Sequence, residues 1–182
     1  MSSPTSGRLT GTVRWAVVPF APRPPFRLYA GEGQAPLTVA KAETIIDSAR
    51  KGEAEFTYLV PGKARPVLVL SEPPSAHHQE VTALRLLRLA KLDANKQEEV
   101  REQQDPLLFH LEPARFDLPE ENAAMVSALV RFHVDAVGGP SCGELNPNEL
   151  RVLGERIIEF YGFDTRPLVE RKIRELAARH QR

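Results

Sequence analysis

Between Thr12 and Phe20 apolar residues recur every second position, with Val13, Trp15 and Val17 among β-branched neighbours, and this predicts a strand carrying those three on one face. Pro19 and the run Ala21-Pro22-Arg23-Pro24-Pro25 end it. From Thr38 to Arg50 the period lengthens: Val39, Ala42, Ile45, Ile46 and Ala49 suit one face of a short helix, with Gly52 as its stop. Residues 55–60 predict another strand, and Pro61-Gly62-Lys63-Ala64 a turn. Arg65 to Ser71 is short, apolar and β-branched, the pattern of a strand buried on both faces.

Val81 to Leu92 predicts a strand passing into a helix, and residues 94–104, with strong helix formers but almost no apolar face, suit either an exposed helix or a solvated charge run. Leu107–Leu111 and Ala124–Val137 predict two further strands, the second ended by Gly138-Gly139-Pro140. At Asn146-Pro147-Asn148-Glu149 a capping residue, a helix-compatible Pro and a Glu three positions after the cap announce a helix. Leu150, Leu153, Ile157 and Ile158 form its apolar stripe, and Gly162 is its C-terminal stop. A second helix follows Asp164. Strands first and helices last predict an α+β, mostly β domain with terminal helices, not a doubly wound sheet.

The chain has 182 residues, enough for one core, and 42% hydrophobic against 26% charged residues exclude a wholly disordered or collagen-like class. Residues 1–8 suit a flexible tail. Lys+Arg and Asp+Glu are each 24, so no global basic field favours nucleic acid and any such site must be local. Residues 164–182 are locally basic, with six Lys/Arg against three acids. They either guide a phosphate backbone, bind an acidic partner, or solvate one helix face.

No run reaches the roughly 18 apolar residues of a membrane span, and the N-terminus lacks a secretory pattern; a cytoplasmic protein is expected. The single Cys142 suits a small buried or loop residue. Phosphate loops, HExxH, GxSxG, zinc-ligand spacing and EF-hand loops are absent, and His77-His78 has no second cluster beside it, so no cofactor or metal is expected. Arg65 follows a Pro-Gly turn and precedes the buried strand, where its planar guanidinium suits bidentate contact with phosphate or, equally, an ordinary carboxylate pair.

The segment Lys63-Ala64-Arg65-Pro66-Val67-Leu68-Val69-Leu70-Ser71 resembles the loop-to-strand motif of PemK/MazF-type toxins. The first strand ending in Val18-Pro19-Phe20, the strand around Ser127 to Val137 and the helix at 147–161 fall in the corresponding order. The resemblance covers roughly residues 9–162, with an inserted segment near 21–57, and leaves 163–182 as a C-terminal extension. It implies a small SH3-like β-barrel, a homodimer, single-stranded RNA as substrate, and neutralisation by an antitoxin protein. The implied chemistry is metal-independent attack of the ribose 2′-hydroxyl on the adjacent phosphate, which needs a base, an acid and a stabilising cation.

The resemblance assigns Arg65 as that cation, with Lys63 and Ser71 beside it in the motif. No base is inherited: Ser127 and Leu129 stand where the family often presents an Arg and an Asp. His133 is the candidate base, with Glu55, Glu72 or Asp135 as carboxylate partner. Tyr58 or Phe56 suits stacking on an unpaired base, or the core. Three functions stay open at this level: an endoribonuclease toxin, a catalytically inactive barrel that binds nucleic acid or protein, and an unrelated β-rich adaptor.

Overall fold

The computed structural model describes residues 9–20, 23–29, 37–39, 57–58, 60–73 and 79–180. The expected 1–8 tail, residues 40–50 of the expected helix, and His77-His78 lie outside them. The chain divides into two compact units, one of residues 1–16 with 66–182 and one of residues 17–65.

The strands in chain order are β1 (Thr12–Pro19), β2 (Phe26–Tyr29), β3 (Leu37–Val39), β4 (Thr57–Tyr58), β5 (Gly62–Ser71), β6 (Glu80–Arg88), β7 (Leu108–Leu111), β8 (Asn122–His133) and β9 (Val137–Glu144). The helices are α1 (Ala94–Arg101), α2 (Pro147–Tyr161) and α3 (Arg166–His180). Six strands form one sheet in the order β7-β8-β6-β5-β1-β9, and β3-β2-β4 form a second. In the second sheet β2 pairs antiparallel with both neighbours, and Leu28 is buried.

In the six-stranded sheet β6 pairs antiparallel with β5 and β8, as do β7 with β8 and β9 with β1. Val13, Leu68, Leu84, Phe109, Val126 and Cys142, one from each strand, meet in a single core that Leu153 of α2 completes. Asp117, just beyond β7, donates its N–H to the Cys142 carbonyl of β9 at 2.6 Å, so the sheet curls until its two edges are tied. The domain is thus mostly antiparallel β with a few helices, the class that the hydrophobic pattern predicts.

Val67, Leu68 and Val69 are fully buried, as a strand covered on both faces requires. The capping box on α2 forms, with Asn146 Oδ1 accepting from Glu149 N–H while the Glu149 carboxylate accepts from Asn146 N–H at 2.7 Å. Gly162 closes that helix in the left-handed conformation at φ 64°. The exposed helix at 94–101 forms too, capped by Asp93 and anchored by Val100 alone.

Four local expectations are corrected. Val13 faces inward but Trp15 and Val17 face outward, because the β1–β9 register shifts between Val13 and Trp15 and hands the inner face to Ala16 and Val18. Thr38 and Val39, placed at the start of the expected helix, pair with β2 as part of the strand Leu37–Val39. Gly62–Ala64 is strand and not turn: Phe20 N–H bonds the Pro61 carbonyl at 2.8 Å, and a Cβ on Gly62 would stand 3.3 Å from the Val18 carbonyl oxygen. Gly138–Pro140 does not end a strand but lies within β9, and β8 ends earlier, at His133.

Candidate functional site

Arg65 lies on β5, in the part of the strand that belongs to the unit of residues 17–65. The bond from Phe20 to Pro61 closes the end of β1 onto the start of β5, which carries the Phe20 ring to Arg65. The guanidinium carbon stands 5.5 Å from the ring centroid. Arg65 is half-buried, and its Nε, shielded from water, has no hydrogen-bond acceptor among the described residues.

Lys63 is exposed and two positions earlier, so the pleat puts it on the same strand face as Arg65. Neither forms an ion pair among the described residues.

Ser71, at the far end of β5, is half-buried where the β5–β6 register shifts, and its Oγ accepts from Thr82 N–H at 3.2 Å. It stands six residues after Arg65 in the chain, in the unit of residues 1–16 with 66–182. Thr82 opposes both Ser71 and Arg131, while Glu80 opposes His133, so His133 belongs to the Ser71 end of the sheet. His133 is exposed, and its Nδ1 lies 3.3 Å from the carboxylate and from the backbone nitrogen of Asp135.

Of the carboxylates considered for that imidazole, Asp135 meets it. Glu72 instead accepts from the backbone N–H of Leu9 at 2.9 Å, and Glu55 lies outside the described residues. Tyr58 opposes Leu28 in the second sheet through its backbone, and its side chain, like Phe56, lies outside the described residues.

Phe20 is the site residue that sequence reasoning missed. Its one signal was the β1-ending Val-Pro-Phe, which says nothing about the later strand it would meet. Two ionic clusters also escaped the pattern. Asp105 is buried, with Lys96 Nζ at 2.7 Å and the N–H groups of Leu107 and Leu108 on its other oxygen. Glu121 binds both Arg101 at 2.7 Å and His110 Nε2 at 2.8 Å. Arg101 above all, with His110, holds the Glu121 carboxyl below the usual range against the opposing effect of burial.

Burial pushes the Cys142 thiol up, which suits a small core residue and not a nucleophile. Among the described residues no group of three or more His, Cys, Asp or Glu is placed to hold a metal ion. Among them, too, no helix is long and apolar enough to cross a membrane.

No protein-family model matches the chain, and no curated protein sequence does. Among solved structures it is similar to the Mycobacterium tuberculosis toxin MazF-mt6, at 19% identity and TM-score 0.42 over 56% of this chain and 90% of that one. It is similar to an endoribonuclease in complex with its cognate antitoxin, from a mycobacterial species, at 14% identity and TM-score 0.44 over 87% of this chain and 98% of that one. A third likeness is to another mycobacterial endoribonuclease, at 18% identity and TM-score 0.39 over 55% of this chain and 82% of that one.

Proposed function

We propose that this chain is a PemK/MazF-like protein that acts on single-stranded RNA as a metal-independent endoribonuclease, with Arg65 engaging the scissile phosphate. The observation that carries the reading is the setting of Arg65: among the described residues its guanidinium lies against the Phe20 ring and pairs with no carboxylate. A planar guanidinium that no described carboxylate occupies suits charge-assisted bonds from its outer N–H groups to phosphate oxygens. Lys63 on the same face adds a second cation for the backbone.

In this reading the ribose 2′-oxygen attacks phosphorus and loses its proton to a base. The bond to the 5′-oxygen breaks with protonation, leaving a cyclic phosphate and a 5′-hydroxyl. Arg65 stabilises the extra negative charge on phosphorus. His133, oriented by Asp135, is the proposed base, and Ser71 and Tyr58 the proposed further RNA contacts. A cytoplasmic homodimer, restrained by an antitoxin and built on a barrel domain of residues 9–162 with an insertion near 21–57, completes the reading.

A second reading has one specific support. Among the described residues Arg65 lies against the Phe20 ring and pairs with no carboxylate or imidazole, while the imidazole of His133 meets Asp135. A cation without its base would bind RNA or protein and not cleave. The deciding experiment is incubation of a long, weakly structured RNA with purified protein in chelator, with Arg65→Ala as the control. Cleavage to cyclic-phosphate ends that Arg65→Ala abolishes supports the ribonuclease. RNA retained without cleavage establishes the binding module instead.

A further inference from the structure

The last turn of α2, the link after it, and α3 expose a run of large apolar side chains. Ile158, Phe160, Tyr161, Phe163, Val169 and Ile173 are all exposed there, Phe163 to 59% and Ile173 to 61%. Phe160 meets Tyr161 edge to face at 4.9 Å, and Tyr161 stacks with Phe163 at 5.8 Å, so the aromatics already form one platform. Val169 and Ile173, four apart on α3, form one stripe. Every described side chain of α3 is exposed. Tertiary packing of an apolar face supplies most helix stability, and none of the described side chains of this 15-residue helix is buried.

Charge narrows what would cover it. Residues 164–182 carry six Lys/Arg against three acids in a chain whose net charge is zero. A second copy laying its own α3 on this face would oppose like charges. The chain's exposed helix α1 carries Glu98, Glu99 and Glu102 but turns its one apolar anchor, Val100, into its own core, so it offers no stripe in return. Nucleic acid would match the charge but gain little from Ile158, Val169 and Ile173, whose aliphatic groups have no flat face for a base.

We infer that the α2–α3 face is a docking surface for an acidic amphipathic helix of a partner protein. Its apolar residues would lie along Val169 and Ile173 and against the aromatic platform, and its carboxylates would meet the basic flank that includes Arg174. The inference is independent of ribonuclease activity, since it uses no residue of the Arg65 site.

The test is fluorescence anisotropy with the full chain and a labelled, designed helical peptide of roughly 16 residues, Glu-rich with Leu at i, i+3, i+4 and i+7 spacing. The same apolar pattern with Lys for Glu is the control. The acidic peptide should bind, and the Lys peptide should bind at least about tenfold more weakly. Ile173→Ser with Phe163→Ser, both exposed and so compatible with folding, should weaken the acidic peptide by about tenfold or more. An unchanged thermal melt of the variant confirms its fold.

Equal binding of the two peptides, or no effect of the double substitution, overturns the inference. So does a concentration-dependent dimer lost in the same variant, or loss in that variant of binding to oligouridylate or phosphatidylglycerol vesicles with no peptide binding in the wild type. These would assign the face to a second copy, RNA or membrane.

Discussion

The guanidinium of Arg65 stands 5.5 Å over the ring of Phe20, a residue 45 positions earlier that only the pairing of β1 with β5 brings near. The ring takes no hydrogen-bond donor from the guanidinium, and among the described residues no carboxylate pairs with it. Phe20→Leu should keep the fold and loosen the fork. RNA affinity should fall by about three- to tenfold, the worth of a cation–π contact of about 1 kcal/mol. Filter binding measures this, and unaltered affinity would show that the ring has no part in the site.

Lys63 and Arg65 should act as phosphate contacts. Each alanine substitution should lower the slope of log affinity against log salt by about one and weaken binding to all RNA sequences alike. Arg65→Lys should restore the slope but not cleavage, because an ammonium lacks the bidentate fork. A sequence-selective loss would point to base contacts instead.

His133 and Asp135 make a separate test of chemistry. If this imidazole removes the 2′-hydroxyl proton, His133→Ala should lower kcat by about a hundredfold or more while RNA affinity changes little. Rapid-quench kinetics beside equilibrium binding resolve the two effects. An unchanged kcat would remove His133 from the mechanism.

Gly143 controls closure of the sheet. Its φ is 144°, and a Cβ there would stand 2.6 Å from the Arg115 carbonyl oxygen and from the Phe116 ring. Both obstacles are firm, the ring because Phe116 is buried in the core. Gly143→Ala should therefore cost about 3 kcal/mol or more, against about 1 kcal/mol for Gly162→Ala, where the φ is 64° but space is open. Urea denaturation measures both.

Asp105 should set part of the acid limit of stability. Burial pushes its carboxyl up, but the Lys96 ammonium and the N–H groups of Leu107 and Leu108 outweigh this and hold it below the usual range. A carboxylate with a depressed pKa stabilises the fold fully above its unfolded pKa, and that contribution disappears as pH falls through the folded value. Asp105→Asn keeps the acceptor for the two N–H groups but loses the charge. It should be less stable than wild type at pH 7, by about 1–3 kcal/mol, with the difference closing in acid. A pH series of urea melts gives the result, and a gap that persists at low pH would make the effect steric.

The sequence by itself determined whatever depends on neighbours along the chain. The cap, Pro and Glu at Asn146–Glu149 start α2, because a capping box closes within one helical turn. The unbroken apolar run Val67-Leu68-Val69 predicted a strand covered on both faces, because such a run has no polar side to offer water. Arg65 stood out for the same local reason, as a cation at the edge of that strand.

Only the tertiary structure decided what rests on partners far away in sequence. The register shift against β9 turned Trp15 outward, and Gly62-Lys63-Ala64, where a turn was expected, became strand because β1 supplied a ladder for it. Phe20 over Arg65 and Lys96 beside buried Asp105 are likewise products of packing. Periodicity records which side of an element is apolar. It does not record which element will cover that side, and strand pairing and ion burial are settled by the free energy of the whole fold.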